Sequence, residues 1–247
     1  MNNESPISRH PNPVGRARNS VVLVTYGREV SASHIIRKEE IVLAGPDRGL
    51  LFHVSGFGTG FVINRAGQVV TCAHLLTEAA KHKAKNTRIL MWQVTESGLF
   101  CPYPIAADRI VSDRSHDIAV LTPGGEPLLN PLSGPPARRR SGGQPVYYWG
   151  WFYSPERHSL VIVLRSGLLR TDLHPADEGT STRLLFDGVA AAGASGSALV
   201  NSQGELVGMV SALRFHPNQP TDVGEAVPVS AIYDLLSYSG VKPAWEE

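Results

Sequence analysis

Three side chains in this sequence are of the types that together perform nucleophilic acyl transfer: a serine, a histidine and an aspartate. Ser195 lies in a turn of small residues, Gly193-Ala194-Ser195-Gly196, which leaves its hydroxyl uncrowded. A serine hydroxyl attacks well only when a base accepts its proton and a third group orients that base. His74 follows an apolar, strand-like run, and Asp117 precedes another. The sequence therefore predicts Ser195 as nucleophile, His74 as base and Asp117 as orienting group.

The backbone around Ser195 also predicts a site for an oxyanion. Gly193 allows the backbone to turn so that its N–H and that of Ser195 point the same way, an arrangement that stabilises an oxyanion. Taken alone, the stretch is equally typical of a flexible Gly/Ser loop between strands. The upstream histidine and aspartate favour catalysis. His116 is a second candidate base, but it adjoins Asp117 and neighbours on a strand face opposite ways, so we assign the base to His74.

Many short strands are expected to position these residues. Among 247 residues there are 24 glycines and 18 prolines, and β-branched runs recur between turn-forming stretches. A hydrophobic fraction of 42% is typical of a globular protein with a core. Residues 122–144 are rich in glycine and proline and predict a linker between two halves of the chain. Residues 1–19 are polar and contain prolines, so we predict a flexible N-terminal arm.

Charge and composition exclude several classes of protein. A net charge of +1 provides no broad basic surface for nucleic acid. Nucleotide-binding glycine motifs and zinc-spaced ligand pairs are missing from the sequence, so we expect no cofactor and no metal. The two cysteines, Cys72 and Cys101, are too few for a disulfide framework; a bridge between them is one alternative, and two buried free thiols are the favoured one. No secretory signal or long apolar run is found, so the expected location is cytoplasmic, without membrane contact.

The segments around the three residues resemble those of trypsin-like serine peptidases of the HtrA/DegP type. Residues 58–74 are similar to the family's glycine hairpin and histidine strand, residues 108–121 to its aspartate segment, and residues 193–211 to its serine segment. Residues 223–230 are similar to the strand before its closing helix. The resemblance implies an all-β fold with two six-stranded antiparallel β-barrels, chymotrypsin-like, and a short C-terminal helix. It divides the peptidase domain, residues 20–247, into a first barrel at about 20–121 and a second barrel with the helix at about 145–240.

The activity implied by the resemblance is that of a serine endopeptidase. Few residues follow Gly240, so the expectation is a protease domain without the PDZ domain that most members carry. The sequence departs from the family where Ser197 replaces a glycine and Ala198 replaces a proline, which affects the shape of the serine turn. Residues 27–55 form a long insertion in a region that is often regulatory in the family. Residues 138–140 are three arginines and predict a basic surface loop.

Substrate and partner expectations also come from the resemblance. It places the substrate pocket at Val189 and Ala190 on one wall and at Ser211 and Leu213 on the other. No acid stands at the position that selects basic side chains in trypsin, so a small or medium apolar side chain is expected at the cleaved position; Asp187 lies near enough for another loop shape to bring it in. A polypeptide substrate and a regulatory protein partner or larger complex are expected. The alternative is a catalytically silent scaffold that acts as a protein-binding module.

Overall fold

The computed structural model describes residues 12–31, 33, 40–44, 51–81, 87–94, 100–125, 128, 130–174, 182–188, 192–214 and 223–247, with the backbone alone at 94, 100–109, 171–174, 213 and 214. Strands dominate these ranges. The helices are α1 (Pro13–Ala17), α2 (Ala73–Lys81) and α3 (Val229–Ser239), with 3₁₀ turns at Arg18–Ser20 and Ala244–Glu246. The strands are β1 (Val21–Val30), β2 (Ile41–Ala44), β3 (Leu51–Val62), β4 (Val69–Thr71), β5 (Arg88–Val94), β6 (Phe100–Asp113), β7 (Ile118–Pro123), β8 (Pro145–Ser154), β9 (Ser159–His174), β10 (Arg183–Asp187), β11 (Ala198–Asn201), β12 (Leu206–Arg214) and β13 (Val223–Pro228).

The first half of the chain is an antiparallel sheet that closes on itself. Its strand order is β1-β5-β6-β7-β4-β3-β2, and β1 also pairs with β3. This extra pairing joins six strands into a ring, which we call the first barrel, and leaves β2 on the edge of β3. The 12 residues of β3 suffice for three partners, because its first part pairs with β2 and its last part with β4. The predicted insertion at residues 27–55 thus contributes the added edge strand.

The second half is a closed barrel with the order β10-β13-β12-β11-β8-β9, which we call the second barrel. Its interior is filled by large apolar side chains, among them Tyr148, Phe186 and Leu199. A separate apolar cluster joins the two halves, since it includes Phe61 and Val120 of the first barrel as well as Met209 of the second. The predicted all-β fold with two six-stranded barrels is confirmed.

Short helices complete the fold. The predicted C-terminal helix is present as α3, and it ends where Gly240 adopts a left-handed φ of 70°. Its buried face includes Ile232 and Leu236, which pack in the cluster that joins the barrels. No helix within the described ranges has the length and apolar character needed to cross a bilayer.

The segment between the barrels forms backbone hydrogen bonds with both of them. The N–H of Leu132 donates to the main-chain oxygen of Val62 in the first barrel at 2.8 Å. The N–H of Ala137 donates to the main-chain oxygen of Leu206 in the second barrel, also at 2.8 Å. Arg138, within the basic loop, is exposed, as are the two arginines that follow it. The crossing therefore fixes the barrels to each other through backbone hydrogen bonds.

The N-terminal segment lies against the second barrel before it enters the first. Asn12 caps α1 by accepting the N–H of Gly15 at 2.6 Å. Trp149 of β8 donates from Nε1 to the main-chain oxygen of Val14 at 2.9 Å, and the guanidinium of Arg18 lies over its ring. The predicted flexible arm at residues 1–19 is thus helical and docked from residue 13; residues 1–11 lie outside the described ranges.

Candidate active site

His74 and Asp117 meet at the first turn of α2. The strand β4 ends at Thr71 and α2 begins at Ala73, so His74 lies in a helix where the sequence predicts the end of a strand. Oδ1 of Asp117 accepts the main-chain N–H of His74 at 2.8 Å, and Oδ2 lies 2.9 Å from its Nδ1. Asp117 has a φ of 59°, a left-handed conformation that aspartate tolerates better than most residues. One carboxylate therefore caps the helix and orients the imidazole.

The environment of Asp117 keeps its carboxylate charged. Burial by itself would raise its pKa, but the hydrogen bond and charge of His74, together with a hydrogen bond from Ser211, outweigh burial and lower the pKa. The side chain of Asp117 is 15% exposed, whereas that of His74 is 41% exposed. An anionic Asp117 favours the tautomer in which Nδ1 of His74 carries the proton. Nε2 is then the basic nitrogen.

Ser211, on β12, links the nucleophile to the aspartate. Oγ of Ser195 donates to the main-chain oxygen of Ser211 at 3.0 Å. The hydroxyl of Ser211 in turn donates to Oδ2 of Asp117 at 2.7 Å. The structure thus brings His74, Asp117 and Ser195 together, with Ser211 as the connecting residue.

The turn around Ser195 requires glycine at two positions. Gly193 and Gly196 have φ values of 101° and 91°. A Cβ would lie 2.2 Å from the oxygen of Trp151 at the first position and 1.8 Å from the oxygen of Thr59 at the second. Among the described residues, no acceptor takes the N–H groups of Gly193 and Ser195. These two donors are therefore available for a ligand oxygen.

The pocket residues expected from the sequence are only partly visible. Val189 and Ala190 lie outside the described residues, and Leu213 is described by its backbone alone, opposite Gly224 in β13. The fourth, Ser211, directs its hydroxyl to Asp117.

Asp187, the nearest acid, is engaged in an ion pair. Its Oδ1 accepts a hydrogen bond from Nε of Arg170 at 2.6 Å. A second guanidinium nitrogen, Nη2 of Arg170, lies 2.6 Å from the same oxygen.

Cys72 packs beneath the histidine–aspartate pair. It is a free thiol with no exposed surface, and its Sγ donates to the main-chain oxygen of Val210 at 3.3 Å. Burial, followed by the nearby charge of Asp117, raises its pKa well above the usual value. The ligand atoms of Cys72, His74 and Asp117 lie within 4.8 Å of one another, the spacing of a metal site. Each already has a hydrogen-bond partner within the protein.

Two further groups support the site without having been singled out in the sequence. Arg183, which opens β10 and is 7% exposed, donates from Nη1 to the main-chain oxygen of His116 at 2.8 Å. The ring of His116, the alternative base, is hydrogen-bonded through Nδ1 to the carboxylate of Asp113 and not to that of Asp117. Thr59 contacts the serine turn from β3. An arginine at the start of an apolar strand, and a threonine between two glycines, are the signals that could have marked them.

Comparisons with known proteins identify the family and the fold. The sequence profile described as "Trypsin-like peptidase domain" matches residues 58–209, more than half of the chain, including His74, Asp117 and Ser195. "Protease Do-like 5, chloroplastic" from Arabidopsis thaliana is 27% identical over 190 residues, which span 75% of this chain and 57% of that protein. The crystal structure of Deg5 shares the fold with a TM-score of 0.62 at 21% identity, over 92% of this chain and 91% of that one. The chain belongs to the trypsin-like peptidase family, and its relatives are of the Deg/HtrA type.

Proposed function

We propose that this protein is a serine endopeptidase that hydrolyses peptide bonds through an acyl-enzyme on Ser195. The observation that carries the proposal is the continuous set of contacts from His74 through Asp117 and Ser211 to Ser195. Two N–H donors that have no acceptor among the described residues lie in the same turn as the serine. Membership of the trypsin-like peptidase family supports the peptide bond as the substrate.

Acylation begins with a rotation of the Ser195 hydroxyl from the oxygen of Ser211 toward Nε2 of His74. His74 accepts the proton while Oγ of Ser195 bonds to the substrate carbonyl carbon. The π electrons of the carbonyl move to its oxygen, and the N–H groups of Gly193 and Ser195 stabilise the resulting oxyanion. Asp117 stays ionised and stabilises the imidazolium.

The tetrahedral species then collapses. The carbonyl bond re-forms, the C–N bond breaks, and His74 gives its proton to the leaving amine, which leaves an ester on Ser195. Water attacks the ester carbonyl while Nε2 of His74 accepts a proton from the water. Breakdown of this second tetrahedral species releases the acid, and His74 returns the proton to Ser195.

The proposed substrate preference is a small or medium apolar side chain at the cleaved position. The pairing of Asp187 with Arg170 supports it, because this carboxylate is neutralised by a cation of the same chain. A library of peptides that differ at the cleaved position tests the preference. The expected profile has little cleavage after lysine or arginine; dominant cleavage there contradicts the preference and leaves the peptidase assignment intact.

Control by a partner protein or by loop ordering is part of the proposal. The proton of Ser195 rests on the oxygen of Ser211, so a rotation must precede attack. A bound peptide or partner that favours this rotation raises activity. Activity of the purified protein that stays high and unchanged when candidate partners are added contradicts this control.

Labelling with a fluorophosphonate, read by intact mass, tests the catalytic assignment. We expect one adduct on the wild type and none on Ser195→Ala or His74→Ala. Ser202→Ala, which alters an exposed serine of the following turn, is the matched control and should label like the wild type. A folded wild type that takes no adduct, either alone or with candidate partners added, overturns the enzyme assignment and favours the protein-binding scaffold.

A further inference from the structure

Thr59 contacts both residues whose N–H groups face the proposed oxyanion. Its Oγ1 lies 2.7 Å from the main-chain oxygen of Gly193, and its N–H donates to the main-chain oxygen of Ser195 at 2.8 Å. Thr59 belongs to β3 of the first barrel and has no exposed surface. One buried residue of the first barrel thus holds the serine turn of the second barrel at two points.

A third contact settles where the proton of the Thr59 hydroxyl goes. The N–H of Trp151, on β8, points at Oγ1 of Thr59 from 3.0 Å. A backbone N–H can only donate, so Oγ1 of Thr59 accepts from Trp151. The hydroxyl therefore donates its single proton to the main-chain oxygen of Gly193. The hydroxyl is therefore held in one orientation between the two barrels.

The surroundings keep Thr59 itself in place. Oγ1 of Thr71 donates to the main-chain oxygen of Thr59 at 2.7 Å. Gly196 approaches that same oxygen so closely that a Cβ would lie 1.8 Å from it. Because Gly193 lacks a side chain and has wide conformational freedom, the bond to its carbonyl restricts its rotation.

We propose that the Thr59 hydroxyl is a positioning group for catalysis, which aims the N–H groups of Gly193 and Ser195 at the oxyanion. Thr59 acts through these two residues and touches no substrate. The inference rests on the proposed peptidase function. Donors that bind charge present only in the transition state change kcat, whereas groups that bind substrate and transition state equally change KM. Loss of the hydroxyl should therefore lower kcat and leave KM nearly unchanged.

The test compares T59V, which removes the hydroxyl at constant shape, with T59S, which keeps it. T25V is the matched control. Thr25 is also fully buried in the first barrel, and its Oγ1 likewise donates to a carbonyl, that of Leu90, and accepts an N–H, that of Trp92 Nε1. Its hydroxyl bonds within the first barrel and makes none of the contacts to the serine turn.

Loss of an N–H that binds the oxyanion directly lowers kcat by about 10²–10³-fold. T59V keeps both N–H donors and removes only the hydroxyl that positions them, so kcat should fall by about 10–10²-fold. KM of a peptide ester should stay within about twofold, and affinity for a peptidyl boronate, which forms a tetrahedral adduct, should fall in parallel with kcat. T59S should restore kcat to within about threefold of the wild type. T25V should lose thermal stability and keep wild-type kcat.

Wild-type kcat in folded T59V, or a rise in KM alone, overturns the inference, as does an equal loss of kcat in T25V. Should T59V not fold, T59C takes its place with the same expected loss, because a thiol is a weak donor. A wild type that takes no fluorophosphonate even with candidate partners added contradicts the proposed function instead. Amide exchange then tests Thr59 by itself: exchange at Gly196 and Ser197, whose N–H groups donate to the main-chain oxygens of Val210 and Ala194 at 2.7 and 3.0 Å, should be about tenfold faster in T59V than in the wild type, and an unchanged rate overturns the inference.

Discussion

Arg183 of the second barrel and His116 of the first are joined by a hydrogen bond from the guanidinium Nη1 to the main-chain oxygen, 2.8 Å long. His116 immediately precedes Asp117. The position of the orienting carboxylate therefore depends on a buried side chain from the opposite barrel, in addition to its own strand.

Arg183→Met should weaken both folding and catalysis. The half-buried carbonyl of His116 loses its donor, at a cost of about 1 kcal/mol, and the turn that carries Asp117 loses its anchor. We expect a lower urea midpoint and fluorophosphonate labelling slowed by at least about tenfold. Arg157→Met, at an exposed arginine of the β8–β9 turn, is the control and should change neither. Wild-type labelling in Arg183→Met would show that the anchor is dispensable.

Ser211→Ala should lower kcat and raise the pKa of Asp117, because the carboxylate loses one of the hydrogen bonds that lower that pKa. A hydrogen bond to a charged group contributes about 1.5–3 kcal/mol, and a loss at the lower end of this range corresponds to a fall in kcat of about tenfold. The main-chain oxygen that accepts Ser195 remains. Ser211→Thr, which keeps a hydroxyl, should recover most of the rate. Steady-state kinetics on a peptide ester measure kcat of the two variants. Equal losses of kcat in Ser211→Ala and Ser211→Thr would contradict the role of the hydroxyl.

Asp113 should contribute stability that depends on pH. Burial alone would raise its pKa, but hydrogen bonds from Ser115 and His116 outweigh burial and lower it from 3.8 to about 2. Because the folded-state pKa is below the unfolded value, this stabilisation is complete above the unfolded pKa and is lost as pH falls through about 2. Asp113→Asn should unfold at lower urea than the wild type at neutral pH, and the gap should close between about pH 4 and pH 2.

The matched variant for that titration is Asp234→Asn, which changes an exposed aspartate on α3. Its urea midpoint should follow that of the wild type across the same pH range. A gap between Asp113→Asn and the wild type that stays constant down to pH 2 would contradict the assignment of the low pKa to Asp113.

Cys72 should resist alkylation in the folded protein. The thiolate is the reactive form, and Cys72 has both a raised pKa and no exposed surface. After treatment with N-ethylmaleimide at neutral pH, peptide mapping should find Cys72 unmodified in buffer and modified in urea. Modification in buffer at the rate of a free thiol such as glutathione would show that Cys72 is accessible in the folded protein.

Gly196→Ala should abolish labelling, because a methyl group collides with the oxygen of Thr59 1.8 Å away. Gly143→Ala is the matched control, since Gly143 also has a positive φ, of 77°, but nothing within 4 Å of its Cβ position. Gly143→Ala should lower the free energy of unfolding by about 1–2 kcal/mol, because alanine disfavours a left-handed backbone, and it should keep wild-type labelling. Urea unfolding and labelling rates distinguish the two; equal losses would assign the effect to φ alone.

The resemblance to trypsin-like peptidases predicts the two-barrel fold, which the structure confirms, whereas turn residues and apolar runs are local signals that predict only the many short strands. The start of α2 could not be predicted, since its cap comes from Asp117, 43 residues away in sequence, and no cap precedes His74 locally.

The role of Ser211 escapes prediction for a different reason. The register of β12 against β13 shifts between Val210 and Ala212, and such an irregularity alters the alternation by which a sequence pattern assigns strand faces. Arg183 and Thr59 act across the junction of the barrels, so their roles depend on how the barrels dock. Docking has no signature in a single stretch of sequence.

Because the site is divided between the barrels, its residues are all present only late in the synthesis of the chain. During synthesis His74 and Asp117 leave the ribosome before Ser195, and the strand that carries Ser211 follows later still. Until that strand has folded against its partner, the growing chain lacks the hydroxyl of Ser211 beside Asp117 and the main-chain oxygen that accepts Ser195. The contacts of the proposed active site are therefore completed only after most of the chain has been made.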